Sequence, residues 1–461
     1  MLTTTNISGL IEKQRKFFAT GKTKEVHFRK EALEKLLKVI QENEEAVCEA
    51  LYSDFKKSKF ESLATEVVLV VKELQLAIKK IERWSKPKSV RASLLNFPSS
   101  DYMYTEPYGT VLLIAPWNYP YQLVIAPLIG AIAAGNTVVI KPSELTPATS
   151  ALLDRILSKT FSSEYICVVQ GDKETSQELL KQKWDYIFFT GSVKVGKIIA
   201  EAAAKHLTPV TLELGGKNPC IIDETAKVSL SARRIVWGKF VNAGQTCIAP
   251  DYLLVHKSIE SDFIKALQEE ITQAYSENPK ESQDFPRIIN TSNFERLSAF
   301  LKDGNVIVGG DTDVQDLYIA PSLIQNPSLE SDVMQNEIFG PILPILTYST
   351  EQDIEKVIMG YDKPLALYVF SENKSFTEKI LKKYSFGGGA TNDVMIQFVN
   401  HRLPFGGVGS SGLGAYHGKH SFDTFSHTKA ITRKGTWLDI PFRYAPYEGK
   451  VNLFKKISKW I

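Results

Sequence analysis

Apolar positions along the chain change their spacing near residue 100. Before that point the spacing is helical: Ile7, Leu10 and Ile11 share one face, and Leu33, Leu36, Leu37, Ile40, Val47 and Leu51 predict one amphipathic helix over about 31–51. A second such pattern runs through Lys79, and a polar, proline-containing stretch over 87–100 closes the region. Short apolar runs then follow at 111–114, 137–140, 166–169, 186–189 and 210–212, rich in β-branched and aromatic residues and separated by helix-like segments. Uninterrupted runs of this kind suit strands buried on both faces, so they predict a parallel sheet with right-handed crossovers.

After Leu214 the alternation resumes, with strands expected near 252–255, 342–347 and 366–370 and helices near 261–274 and 351–359. The expected fold class is α/β, with a Rossmann-like parallel-sheet domain followed by a second α/β domain. A length of 461 residues agrees, since one hydrophobic core rarely grows that large. No internal repeat is visible.

Composition excludes more than it selects. With 43% apolar and 23% charged residues the chain falls outside the disordered, collagenous and membrane-bundle classes. Its 55 basic and 52 acidic residues leave a net charge of +3 without a long like-charged block, so nucleic acid is not an expected partner. Residues 1–30 lack the apolar core of a secretory signal, and Cys48, Cys167, Cys220 and Cys247 form no CxxC pair. A cytoplasmic protein with free thiols and no metal site is expected. Leu453, Phe454, Ile457, Trp460 and Ile461 alternate with Lys455, Lys456 and Lys459 in a C-terminal stretch too short to span a bilayer. Docking on its own domain is the preferred reading, and peripheral contact with a membrane the other.

Candidate chemistry gathers at a few loops. Asn242-Ala243-Gly244-Gln245-Thr246-Cys247 places a thiol just beyond a predicted helix carrying Trp237 and Phe240. An ionised thiol takes up a carbonyl carbon and later releases it, although a lone cysteine is more often a small buried hydrophobe. Glu213-Leu214-Gly215-Gly216 sets a carboxylate at the end of an expected parallel strand, where ligands and catalytic groups collect. On its own it is a surface glutamate. Pro116-Trp117-Asn118-Tyr119-Pro120 follows the first parallel strand, so Asn118 is either a donor to a developing oxyanion or the cap of a helix starting near Tyr121.

Gly191-Ser192-Val193-Lys194-Val195-Gly196 leaves a strand and opens a helix, whose free N–H groups suit a pyrophosphate. By contrast Gly407-Val408-Gly409-Ser410-Ser411-Gly412 spells GxGxxG after Pro404-Phe405 rather than after a strand, and fails the context test. Lys141-Pro142-Ser143-Glu144 closes the second strand, offering a donor and an acceptor to ribose hydroxyls, or merely a turn capped at Thr146. Glu337-Ile338-Phe339-Gly340-Pro341 joins an acid, an aromatic and a tight turn, and His417 with His420 reads as structural.

In this order the segments PWNYP, KPSE, FTGSVKVG, ELGGKNP, GQTC and EIFGP resemble the aldehyde dehydrogenase superfamily over about 33–433, and LPFGGVGSSGLGAYHGKHSFDTF resembles its class 3 branch. The resemblance implies NAD(P)-dependent oxidation of an aldehyde to a carboxylic acid, through a thiohemiacetal and thioester on Cys247. Medium or long-chain aliphatic and aromatic aldehydes are the implied substrates. It implies Glu213 as the base toward water, the thiol or both, and Asn118 with the Cys247 backbone N–H as the oxyanion hole. Lys141 and Glu144 would meet the adenosine ribose, Gly191 to Gly196 the pyrophosphate, and Glu337 the nicotinamide ribose, with Phe339 and Phe405 lining the nicotinamide side. NAD and NADP both stay open as cofactor.

Residues 1–100 and 109–212 would form the cofactor domain and 213–420 the catalytic domain. Segments 101–108 and 421–461 would bridge a homodimer, and no transmembrane segment is expected. Two other readings of the same residues are a cysteine thioesterase or acyltransferase, and a non-catalytic binding protein on the same scaffold.

Overall fold

A computed structural model describes residues 7–459, apart from the side chains of Leu94 and Ile457. The helical pattern of 31–51 builds two helices rather than one, Val26–Glu42 and Glu44–Phe55. Asn43 makes the break: its side-chain amide donates to the Val39 carbonyl at 2.8 Å, satisfying an end of the first helix, while Glu44 and Glu45 suit the positive start of the second. The next pattern starts with the short helix Lys59–Ser62, passes through a single π turn at Leu63–Val67 and continues as Val68–Trp84, burying Val70, Leu74, Ala77 and Ile81.

All five predicted runs of the first region are strands of one sheet. They pair in parallel in the spatial order Val210–Glu213, Tyr186–Thr190, Thr110–Ile114, Thr137–Lys141, Ile166–Val168. From the strand Thr110–Ile114 the chain first winds toward one edge and then returns to wind toward the other. Connections after that strand and after Tyr186–Thr190 therefore diverge, leaving a crevice beyond the carboxyl ends of the two. Helix Gln122–Ala134 covers the sheet and is buried on every side, as its almost wholly apolar sequence requires.

A second sheet of seven strands holds the three expected ones, Tyr252–His256, Ile342–Tyr348 and Ala366–Phe370. It adds Pro219–Ile222, Ser322–Gln325 and Gly388–Thr391 in parallel, and Asn305–Val308 antiparallel at one edge. Helices Glu260–Tyr275 and Glu351–Ile358 match expectation, the latter opened by a Thr350/Asp353 capping box.

Three antiparallel strands, Lys88–Val90, Ser99–Pro107 and Ser426–Lys434, form a separate small sheet. Lys88–Val90 was expected with the first domain. Gly412–Leu413, expected with the second, pairs with Leu212 and Glu213 at the edge of the first sheet instead. Helix Lys419–Thr424 likewise packs on Gln122–Ala134, where a Cβ at Gly130 would lie 2.7 Å from Ser421 Cβ.

The C-terminal stretch departs from its preferred reading. Helix Lys450–Ile457 stacks Phe454 on Phe442, yet Phe454 stays 56% exposed, because the 439–447 segment beneath it is itself at the surface. Trp460 and Ile461 lie outside the described residues. Among the described residues no helix is long and apolar enough to cross a membrane.

Candidate active site

Helix Val228–Phe240 delivers the chain to the crevice, where it must turn sharply. Asn242 and Ala243 both take left-handed backbone angles, φ 54° and 51°, at a cost of about 1–3 kcal/mol each. Gly244 follows at φ 73°, so close to the next loop that a Cβ would stand 2.2 Å from Gly340 O. Beyond this turn lies Cys247. Cys48, Cys167 and Cys220 are buried, whereas Cys247 is partly exposed and lines a cavity of about 640 Å³.

The same cavity is lined by Asn118, Glu213, Glu337, Phe339, Gly191, Ser192 and Lys194. Lys141, Glu144, Val193, Val195 and Gly196 do not line it. Lys141 is nonetheless close, opposite Ile114 in the sheet, with its Nζ 2.6 Å from Glu144 Oε2. Helix Val193–Ala204 is capped by Ser192, whose Oγ accepts from Val195 N. Gly196 lets that helix approach the strand, since a Cβ there would lie 2.6 Å from Leu214 Cδ2.

Asn118 is 3% exposed and does not cap the helix after it. Its Nδ2 donates to Gln245 O at 3.1 Å, while its own carbonyl accepts from Asn242 Nδ2 at 2.8 Å. The helix is instead capped at a distance: Tyr121 N and Gln122 N both donate to Glu66 Oε2. Thr146 is replaced in the same way by Asp54, which accepts from Ala148 N and Thr149 N.

Glu213 is 2% exposed, and neither carboxylate oxygen has a hydrogen-bond partner. Burial pushes its carboxyl well above the usual carboxylate range. Glu337 is pushed up to about 7, by burial first and by Asp251 second, against the Gly216 N–H, Lys217 and Arg296. Its carboxylate occupies the space a Gly215 side chain would need, which accounts for that glycine. Burial, then Glu337 and Glu213, push the Cys247 thiol up to about 12. The thiol therefore holds its proton at neutral pH and needs an acceptor before it can attack. Phe339, at φ 50°, sits edge-on to Trp117 at 5.3 Å.

The aldehyde dehydrogenase family model matches residues 2–431. A Staphylococcus aureus protein named 4,4'-diaponeurosporen-aldehyde dehydrogenase is 48% identical, over 96% of this chain and 97% of its own. The chain belongs to the aldehyde dehydrogenase family. Aldehyde dehydrogenase family 3 member A2 of Macaca fascicularis is 43% identical over 97% of this chain and 94% of its own, which places the chain with the class 3 branch. A solved structure described as the substrate-bound state of Staphylococcus aureus AldH covers 99% of this chain and all of its own, at a TM-score of 0.96 and 47% identity. This aldehyde dehydrogenase is thus an oxidoreductase acting on aldehydes with NAD or NADP.

Tyr119, Trp237, Phe398 and Phe405 line its cavity, whereas Phe240 is buried in the core around the seven-stranded sheet. The Gly407–Gly412 turn does not open a helix; Ser411 O accepts from Leu214 N and steadies the edge that carries Glu213. His417 is buried, stacks on Phe398 and is lowered to about 4, chiefly by burial. Among the described residues no group of three or more His, Cys, Asp or Glu could hold a metal ion.

Sequence reasoning missed the charged residues behind the cavity, Lys57, Glu61, Glu66 and Glu73, all buried. A signal was present, since Glu66 and Glu73 fall in phase with the apolar stripe of Val70, Leu74, Ala77 and Ile81.

Proposed function

We propose that Cys247 is the nucleophile and that it carries the substrate as a thiohemiacetal and then a thioester on the way to a carboxylic acid. The observation behind this reading is that the one partly exposed thiol shares a cavity with a buried, unpartnered carboxyl and a fixed amide. The partly exposed thiol gives its proton to solvent, and the sulfur forms a bond to the aldehyde carbon as the carbonyl π pair moves onto oxygen. Asn118 Nδ2, already oriented by Gln245 O, donates to that oxygen together with the Cys247 backbone N–H. Glu213 takes a proton from water, which adds to the thioester carbon as the sulfur leaves.

The cofactor fits the loops beyond the first sheet. A twelve-residue helix begins there with a serine cap, and Gly191 has no room for a side chain against the Phe189 ring, 2.5 Å away. Thr190 Oγ1 is buried without a partner beside them. Gly191 to Gly196 would hold the pyrophosphate, Lys141 and Glu144 the adenosine ribose, and Glu337 with Phe339 the nicotinamide end. Bound NAD or NADP supplies the hydride acceptor. In this division of labour the six-stranded half binds cofactor and the seven-stranded half carries the nucleophile.

Leu69, Leu123, Trp237, Met395, Phe398 and Val399 give the cavity an apolar lining, which supports medium or long-chain aliphatic or aromatic aldehydes. The staphylococcal relative's name points the same way. An aldehyde series of increasing length, followed by reduced-nicotinamide absorbance with ester cleavage in parallel, tests this. Falling KM with chain length is expected; ester cleavage without any absorbance rise would favour a hydrolase. Glu144→Gln is expected to raise kcat/KM for NADP relative to NAD about fivefold, by removing a like charge from the 2′-phosphate. An unchanged ratio in parallel assays would place the ribose elsewhere.

A cytoplasmic homodimer completes the reading, paired through the small sheet, whose edge strand Ser426–Lys434 is exposed along nearly its whole length. Analytical ultracentrifugation showing a monomer at micromolar concentration would oppose it.

A further inference from the structure

Three buried charges stand behind the cavity without a part in the chemistry above. Lys57 and Glu66 are 0% exposed and ion-paired at 2.8 Å, and Glu61 is buried beside them. Burying charge in this way is costly unless each group is matched. Glu66 Oε1 accepts from Lys57 Nζ, and its Oε2 accepts from Tyr121 N and Gln122 N. Lys57 also lies 4.2 Å from the centre of the Tyr119 ring, whose hydroxyl meets Thr246 Oγ1 at 2.7 Å. Glu61 Oε1 accepts from Asn242 N at 2.8 Å.

That last bond falls on the left-handed turn. Asn242 Nδ2 donates both to Asn118 O, at 2.8 Å, and to Gln245 O, at 3.1 Å. Gln245 O is also the acceptor that holds Asn118 Nδ2. An amide nitrogen carries two hydrogens, so fixing one on Gln245 O dictates where the other points. Asn242 thus ties the Asn118 loop to the Cys247 loop, and the strained backbone of Asn242 is held by one carboxylate from a different element.

We propose that Glu61 is a positioning residue: by accepting the Asn242 N–H it fixes the left-handed turn that aims the Asn118 amide at the substrate oxygen. The inference rests on the reading of Asn118 as oxyanion donor. Asn242 is the only route from Glu61 to Asn118 among the described hydrogen bonds, so the two effects must be coupled. Burial raises the Glu61 carboxyl to about 7, and Lys57 and the Asn242 N–H oppose the rise.

The experiment is a double-mutant cycle with rates expressed per titratable Cys247 thiol. Glu61→Ala is expected to lower kcat about 10- to 100-fold while the KM for cofactor moves less than about twofold. Glu61→Gln, which keeps an acceptor oxygen, is expected to stay within about threefold of the parent. In an Asn118→Ala background Glu61→Ala should cost less than about threefold more. A full additional loss there, or a parent-like kcat for Glu61→Ala, overturns the inference. If the alanine variant does not fold, Glu61→Asp replaces it, because one methylene fewer leaves Asn242 N out of reach while the charge beside Lys57 stays. A parent-like rate for Asp, or Gln as slow as Asp, overturns the inference equally. Asn118→Ala alone separates the two levels: a parent-like rate there removes the oxyanion reading itself, whereas a large loss there with an unaffected Glu61→Ala removes only the role of Glu61.

Discussion

Cys247→Ala is expected to abolish aldehyde oxidation, with a loss of about a thousandfold or more, and to leave NAD binding within about twofold of the parent. The substitution removes one sulfur from a residue that faces a cavity, so it opens no void in either core. No neighbouring thiol can replace it, because Cys48, Cys167 and Cys220 are all buried. Cofactor contacts are expected on the loops of the six-stranded sheet, across the crevice from the Asn242 turn. Initial rates of reduced-nicotinamide formation measure the first effect, and quenching of tryptophan fluorescence on NAD addition measures the second, since Trp117 and Trp237 line the cavity. Retained turnover would remove Cys247 from the chemistry.

Glu213→Gln is expected to separate the two halves of the reaction. Its carboxyl has no protein partner and its charged form is disfavoured by burial, so glutamine fits the same space with little strain. What glutamine cannot do is accept a proton from water. Reduced cofactor should therefore appear in a burst of about one equivalent per site and then slow by about 100-fold or more. The sign of the pH effect follows from the raised pKa: the basic form grows as pH rises. The parent rate, where limited by thioester hydrolysis, should climb with pH above the ordinary carboxylate range, and that climb should vanish in the variant. Steady turnover at the parent rate would show that another base does this work.

Much of this site was legible because its motifs lie where the chain changes element. Continuous β-branched runs marked five parallel strands, and the motif residues 116–118, 141–144, 190–192 and 213–216 each lie at or just beyond the end of one of them. Apart from the local break at Asn43, the misses have one cause, contacts between residues distant in sequence. Local rules put helix caps on Asn118 and Thr146, but Glu66 and Asp54 reach in from other helices. Periodicity saw one helix where an Asn43 side chain divides two. Gly412–Leu413 joins the first sheet about 200 residues after its partner strand, and nothing in so short a glycine-containing segment announces it. Glu61 escaped for the same reason, since its partner Asn242 is 181 residues away.

In the proposed reaction the substrate's acyl group rests on one particular sulfur. Glu213→Gln mixed with an aldehyde and NAD, quenched in acid after the burst and digested, allows that group to be located by mass spectrometry. The expected result is the mass increment of the acyl chain on the peptide containing Cys247, at close to one per site and reversed by hydroxylamine. Burst formation of reduced cofactor with no increment on that peptide, or with the increment on another residue, would contradict it.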